Sequence, residues 1–296
     1  MKKYFKVLAV VLVVAMLAAF ASCGGAKTTN ENTEQAQPEK KDVVKVIDIS
    51  LTDEDYAFGV SKKDTELQEA VNAFIKEIKE NGKLEEIMNK YYGDGEPTPV
   101  VSAKEDDKKD QLVIATNAAF APFEYFEGDA YYGIDMEMVQ LLAEKLGKEL
   151  VIKNIDFDAV CTTVDNGYAD IAAAGLTVNE TRKEFVEFSE PYYKASQMVI
   201  TKADDTAFDA CKTAEDVEAI LNGFDSSKKV GVQTGTTGQF YVAGDKDWGF
   251  DGFKVTCTGF SNGALAVQDL INGNLDYVVI DEAPAKMITK TFNEQA

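Results

Sequence analysis

The chain of 296 residues contains no histidine. Histidine-based triads, Cys-His nucleophiles and histidine-ligated zinc are therefore excluded. Cysteine is scarce, with Cys23, Cys161, Cys211 and Cys257 alone. The last three are too far apart for a metal knuckle and odd in number, which excludes a full disulfide framework. Buried free thiols are expected, with a Cys211–Cys257 disulfide as the alternative. There is no GxxxxGK[ST] phosphate loop and no GxSxG elbow, so neither a cofactor nor a metal is expected. Positive charge is in deficit too: 30 Lys and Arg face 51 Asp and Glu, for a net charge of −21. Such a surface repels nucleic acid and anionic lipid, so nucleic acid is not an expected partner. Carboxylate-only chemistry stays open.

No apolar run is comfortably long enough to span a bilayer. Val7 to Phe20 is too short, follows Lys2, Lys3 and Lys6, and leads into Ala21-Ser22-Cys23. The pattern resembles a bacterial lipoprotein signal peptide over residues 1–22, with Cys23 as the lipidated residue and Phe20 where Leu is more usual. An uncleaved signal anchor is the alternative. Residues 23–42 are polar, contain proline and lack periodicity, as a tether does.

From residue 43 onward the pattern is α/β. Val44, Val46, Ile49 and Leu51 suggest one strand, and Tyr56 to Val60 a second. Asp64 caps a helix whose residues Leu67, Val71, Phe74, Ile75 and Ile78 share one face, and Gly82 stops it. A shorter helix uses Leu84, Ile87, Met88 and Tyr91. Residues 93–110, with two prolines and a charge run, have the composition of a flexible linker. After Leu112, strands alternate with helices, the signature of parallel sheets joined by crossovers. Strands are expected at 112–115, 150–152 and 171–174, with helices opening at Asp135 and Phe157. A second set has strands at 230–232, 253–257 and 275–280, with helices near Thr236, at Asn262 and after Asp281. The apolar run Gln197 to Thr201 is suited to crossing between the two lobes. Such lobes leave a ligand cleft between them.

The densest stretch runs from Asp170 to Tyr193. Gly175 ends an apolar strand and lets the backbone approach a neighbour closely. Thr177 and Thr181 precede Arg182 and Lys183 at an expected helix start, with Glu180 and Glu184 interleaved. Free N–H groups, a hydroxyl and a guanidinium this close together can hold one carboxylate, because arginine is a planar two-pronged donor. The plain alternative is an N-cap followed by surface charges.

Six segments carry a resemblance: ATNAAFAPFEYFEG at 115–128, GIDMEM at 133–138, DFDAV at 156–160, AAGLTVNETRKEFVEFSEPYY at 173–193, GVQTGTTG at 231–238 and VVIDEAPAK at 278–286. In order and spacing the chain resembles the family 3 extracellular solute-binding proteins of polar amino acid ABC importers. The resemblance implies a two-lobed periplasmic-binding-protein-like α/β fold of type II. It also implies an extracytoplasmic, membrane-tethered monomer that passes an amino acid to an ABC importer permease.

On that resemblance Arg182, Thr177 and Thr237, with Thr236 beside it, grip the ligand α-carboxylate. Asp281 accepts the α-ammonium, helped by the carbonyl of Gly175, which follows Ala174 at the strand end. Phe120 and Phe157 sandwich the aliphatic part of the ligand. In the lysine/arginine/ornithine-binding members an acid stands where this chain has Asn117; with Gln233, this position suggests a polar, uncharged ligand side chain. As N-caps, Asp281, Thr236 and Thr237 would be ordinary, and Phe157 an ordinary core aromatic. An enzyme on the same fold, resembling dehydratases of cyclohexadienyl acids, is the competing class, as is a sensing or adhesive surface protein. An enzyme would need a further acid in the cleft; Glu124 is the candidate, although an outward-facing position is expected for it.

The order of segments departs from the family. Residues 43–93 resemble its usual carboxy-terminal end, so the chain reads as circularly permuted. Residues 43–55 and 197–296 would then form the second lobe, 56–92 and 111–196 the first, and 93–110 would join the usual termini. The alternative is that 43–93 completes a neighbouring copy by exchange.

Overall fold

The computed structural model describes residues 41–296. The expected signal segment, Cys23 and nearly all of the tether lie outside the described residues. In chain order the first half comprises β1 (Val44–Ile47), β2 (Glu54–Tyr56), β3 (Gly59–Ser61), α1 (Thr65–Glu80), α2 (Lys83–Tyr92), β4 (Gln111–Thr116), β5 (Ala119–Phe120), β6 (Glu124–Glu127), β7 (Ala130–Tyr132), α3 (Ile134–Leu146), β8 (Glu149–Asn154) and α4 (Val160–Asp165). There follow β9 (Ile171–Ala172), β10 (Val186–Phe188), β11 (Tyr193–Ala195), β12 (Gln197–Lys202), α5 (Ala214–Gly223), β13 (Lys229–Gln233), α6 (Thr237–Ala243), β14 (Thr256–Phe260), α7 (Gly263–Ile271), β15 (Tyr277–Asp281) and α8 (Glu282–Gln295).

Two five-stranded sheets define two lobes. The first has the order β10-β3-β9-β4-β8 and the second β1-β12-β15-β13-β14. Both are mixed, not parallel. In the first lobe β4 runs parallel to β8 and β9, whereas β3 is antiparallel to β9 and β10. In the second lobe β13 is parallel to β14 and β15, but β12 is antiparallel to β15 and β1.

The link between lobes is the ribbon β2·β11, paired antiparallel with Tyr56 opposite Tyr193 and Glu54 opposite Ala195. The run expected to cross between lobes, Gln197 to Thr201, is instead β12, buried at all five positions inside the second sheet. A strand covered on both faces reads as a continuous apolar run, which explains the misassignment. Likewise Tyr56 to Val60 is not one strand: Tyr56 ends β2 and Gly59 opens β3 in a different sheet. The strand expected at 253–257 is β14, which starts at Thr256, while Phe253 packs against Tyr241.

The segment 43–92 packs on its own chain. α1 buries Leu67, Val71, Phe74, Ile75 and Ile78, the five positions its periodicity marks, and each contributes about 1.5–3 kcal/mol. Its N-cap is Asp64, whose side chain accepts the Leu67 N–H at 2.9 Å, a bond contributing about 1 kcal/mol. Residues 93–110 are not a free coil. Val100 is buried and exchanges backbone hydrogen bonds with Tyr131, and the Ala103 N–H donates to the Leu150 carbonyl. Cys161 is a buried free thiol, while Cys211 and Cys257 are free but half-buried, so burial of all three thiols does not hold.

Candidate functional site

The candidate residues converge where the inner ends of both sheets meet the ribbon. Arg182 lies in a single 3-10 turn, Arg182–Glu184, not at the start of an α-helix. It is 8 % exposed, which rules out the surface-charge reading. Its guanidinium donates to the Thr177 carbonyl (2.8 Å) and, across the cleft, to the Gly235 carbonyl (3.1 Å). Phe157 and Trp248 flank it, with ring centroids 5.2 and 5.0 Å from Cζ. Two of five donors are used, so three remain to meet an anion. Burial lowers its pKa, against the pull of Glu54, Asp281 and other nearby groups.

Asp281 ends β15 at the N-cap position of α8 yet makes no capping bond. Its carboxylate instead accepts the Tyr56 hydroxyl at 2.5 Å. Burial, then the proximity of Glu54, pushes its pKa up to about 7, against the hydrogen bonds from Tyr56 and Gln197. Thr236 is the N-cap of α6, but its hydroxyl donates to the Gln233 carbonyl (2.8 Å). The capping alternative therefore explains neither side chain.

The hydroxyls form a relay. Thr237 donates to Thr177 at 3.2 Å, and Thr177 donates to Glu54 at 2.7 Å. The Gln233 amide donates to the Asn117 side-chain oxygen at 3.2 Å, and Asn117 donates to the Ile155 carbonyl at 2.7 Å. Gly175 has φ +52°, and a Cβ there would stand 3.0 Å from the Phe120 ring and 3.2 Å from Tyr56. The close approach read from the sequence is thus against these two rings. The Gly175 N–H donates to Asp135 at 2.9 Å, and Ala174 is buried beside it. Phe120 packs against Phe123, whereas Phe157 carries the guanidinium.

Glu124 is not outward-facing. It is fully buried, and neither carboxyl oxygen has a hydrogen-bond partner. Burial, with Asp135 and Asp281 nearby, raises its pKa well above the usual range. Asp135 accepts the Tyr192 hydroxyl at 2.6 Å, and burial raises its pKa to about 7.

Four residues at the site escaped the sequence reading: Glu54, Tyr56, Gln197 and Trp248. Glu54 accepts bonds from Thr52 (2.6 Å), Thr177 (2.7 Å) and Gln197 (2.9 Å). Trp248 is the only tryptophan of the chain, a signal that could have singled it out.

The arrangement offers a buried cation and a buried anion from opposite lobes, with hydroxyls and amides between them. That donor set matches a small zwitterion, whose charges both need partners once out of water.

Comparison with known proteins places the fold and the motifs together. The sequence profile of the bacterial extracellular solute-binding proteins, family 3, matches residues 3–94 and 112–294. The arginine-binding extracellular protein ArtP of Bacillus subtilis (strain 168) is 38% identical over 103 residues, 35% of this chain and 40% of that protein. An ancestral arginine-binding protein, solved with arginine bound, superposes with a TM-score of 0.52 at 34% identity, covering 62% of this chain and 75% of that one. The ancestral amino acid-binding protein AncCDT-1, a precursor of cyclohexadienyl dehydratase, gives a TM-score of 0.52 at 28% identity, over 71% and 78% of the two chains. The chain spans less than two thirds of the length of the first curated relatives it matches. With both segments of the profile matched and the two-lobed architecture in place, the chain belongs to the bacterial extracellular solute-binding proteins, family 3.

Proposed function

We propose that the protein is an extracytoplasmic receptor that binds one free amino acid between its lobes and hands it to an ABC importer, without chemical change to the ligand. The observation that carries this reading is the pair Arg182 and Asp281, buried in opposite lobes and near enough to interact electrostatically. Arg182 takes the α-carboxylate together with backbone N–H groups of the Thr177, Thr236 and Thr237 segments, whose hydroxyls are engaged with one another and their neighbours; Asp281 and the Gly175 carbonyl take the α-ammonium. Ala174, Phe120 and Phe157 bound the aliphatic part. Asn117 and Gln233, neutral and bonded to each other, select a polar uncharged side chain. Ligand favours closure because it contacts both lobes, the condition for shifting a two-state equilibrium. A lipid anchor on Cys23 holds the monomer at the membrane.

The segment order is that of a circular permutation. In support, Val43 and Val44 donate to the Asn293 side chain at 2.9 and 3.2 Å, so the two ends of the described body meet. The family profile also skips residues 95–111, the stretch that would join the usual termini.

Glu124 favours a second reading, a dehydratase-like enzyme, because a buried, partnerless carboxyl with a raised pKa can act as a general acid. The test is a thermal-melt panel of the purified protein against the twenty amino acids, with prephenate and arogenate assayed for product. At a hundred times its dissociation constant a ligand adds about 2.7 kcal/mol to the folded state. One or two polar uncharged amino acids should raise the melting temperature. A larger shift with lysine or arginine would overturn the specificity, and turnover of prephenate or arogenate the receptor itself.

A further inference from the structure

We propose that the hinge strand β2 positions both poles of the clamp, Glu54 through Thr177 and Tyr56 through Asp281. The inference rests on the amino-acid clamp proposed above. Alternate residues of a strand share one face, and here that face is turned toward the cleft. Glu54 is 5 % exposed and Tyr56 fully buried. Glu54 joins the lobes: it accepts from Thr177 in the first lobe and from Gln197 on β12 in the second. Tyr56 reaches Asp281 with its hydroxyl while its backbone pairs with β11 and bridges Thr177.

The consequence for Thr177 is directional. Its hydroxyl hydrogen is committed to Glu54, so toward the cleft it presents a lone pair, already taken by Thr237. The ligand carboxylate is then left to Arg182 and backbone N–H groups, and Glu54 acts by fixing where Thr177 sits. At the other pole, the Tyr56 hydroxyl takes one lone pair of Asp281 and the Gln197 amide lies beside the same carboxylate, which keeps further lone pairs for an ammonium. A strand at the pivot moves least when lobes rotate, so it can hold both poles in register through opening and closing.

The two side chains act on Asp281 in opposite senses. Tyr56 donates a hydrogen bond to its charged form, whereas Glu54 places a like charge beside it. The other groups facing Asp281 are Gln197 from β12, Arg182 from the 3-10 turn, Tyr193 from β11 and Glu124 from β6.

The experiment is calorimetric titration of the full protein with the twenty free amino acids. The tightest binder is then followed from pH 5 to 9 in wild type, Tyr56→Phe, Glu54→Gln and the control Tyr92→Phe. Tyr92 is 48 % exposed and donates to the Tyr193 hydroxyl at 3.0 Å. Tyr56→Phe should weaken binding roughly tenfold at pH 7 and move the pH midpoint of affinity upward. Glu54→Gln should move that midpoint downward, and Tyr92→Phe should leave it in place. A merely structural role would lower affinity equally at every pH. Unmoved midpoints in Tyr56→Phe and Glu54→Gln, with wild-type binding intact, overturn the inference and spare the clamp. A wild type that binds none of the twenty overturns the clamp and this inference together.

Discussion

The two lobes are built on sheets of equal size but take their share of the amino-terminal segment differently. In the second lobe β1 lies at the sheet edge and pairs only with β12; in the first, β3 is inserted between β9 and β10. The lobes also differ in what they bring to the cleft. The first contributes a guanidinium pinned by carbonyls and flanked by aromatic rings, the second a carboxylate pinned by one tyrosine hydroxyl from the hinge. The cationic pole is held by four neighbours, while the anionic pole is held by the Tyr56 hydroxyl with the Gln197 amide and sits beside another acid.

Removing the cationic pole should have the largest effect. Arg182→Ala is expected to cost about 2–5 kcal/mol of amino-acid binding, as when one member of a buried charge pair is deleted; titration calorimetry reads this directly. Asp281→Asn should cost less affinity, about 2 kcal/mol, and separate the poles in a second way. It removes a buried charge next to Glu54, so the variant without ligand should melt at a higher temperature than wild type at pH 8. A lower melting temperature for that variant would contradict the assigned environment.

The pH dependence follows from Asp135 and Asp281, both raised from an ordinary 3.8 to about 7 by burial. In the folded chain these carboxyls hold their protons to higher pH than in the unfolded chain. Between about 4 and 7 the folded state therefore binds more protons, and unliganded stability falls as pH rises through that window. Affinity should move the other way, rising to a plateau above pH 7 as Asp281 ionises to meet the ammonium. Chemical denaturation and titration at matched pH values would show the opposed slopes. Trp248→Ala should have the smallest effect, about 0.5–2 kcal/mol of affinity from the lost cation–π contact, with Arg182 still held by Phe157.

Much of the fold was legible because its signals are local. The helix face of α1 and its Asp64 cap follow from spacing within one element, and the segments around Asn117, Arg182, Gln233 and Asp281 are short motifs that can be read one at a time. What was not legible is contact across the chain. Tyr56 and Asp281 are separated by 225 positions and Glu54 and Thr177 by 123, and no periodicity links them. Glu124 reads as outward-facing because a carboxylate is expected in water; its burial becomes intelligible only beside Asp135 and Asp281, where it can remain protonated. Likewise a fully covered strand, β12, carries no alternation to distinguish it from a connecting run.

The most direct test of the clamp is to remove the ligand's charges one at a time. The wild-type protein would be titrated with the amino acid that shifts its melt most, and then with that compound's decarboxylated and deaminated analogues. The paired poles predict that each analogue binds at least a hundredfold more weakly, because either loss leaves Arg182 or Asp281 buried without its partner. An analogue that binds as tightly as the parent amino acid would show that the corresponding pole does not hold the ligand.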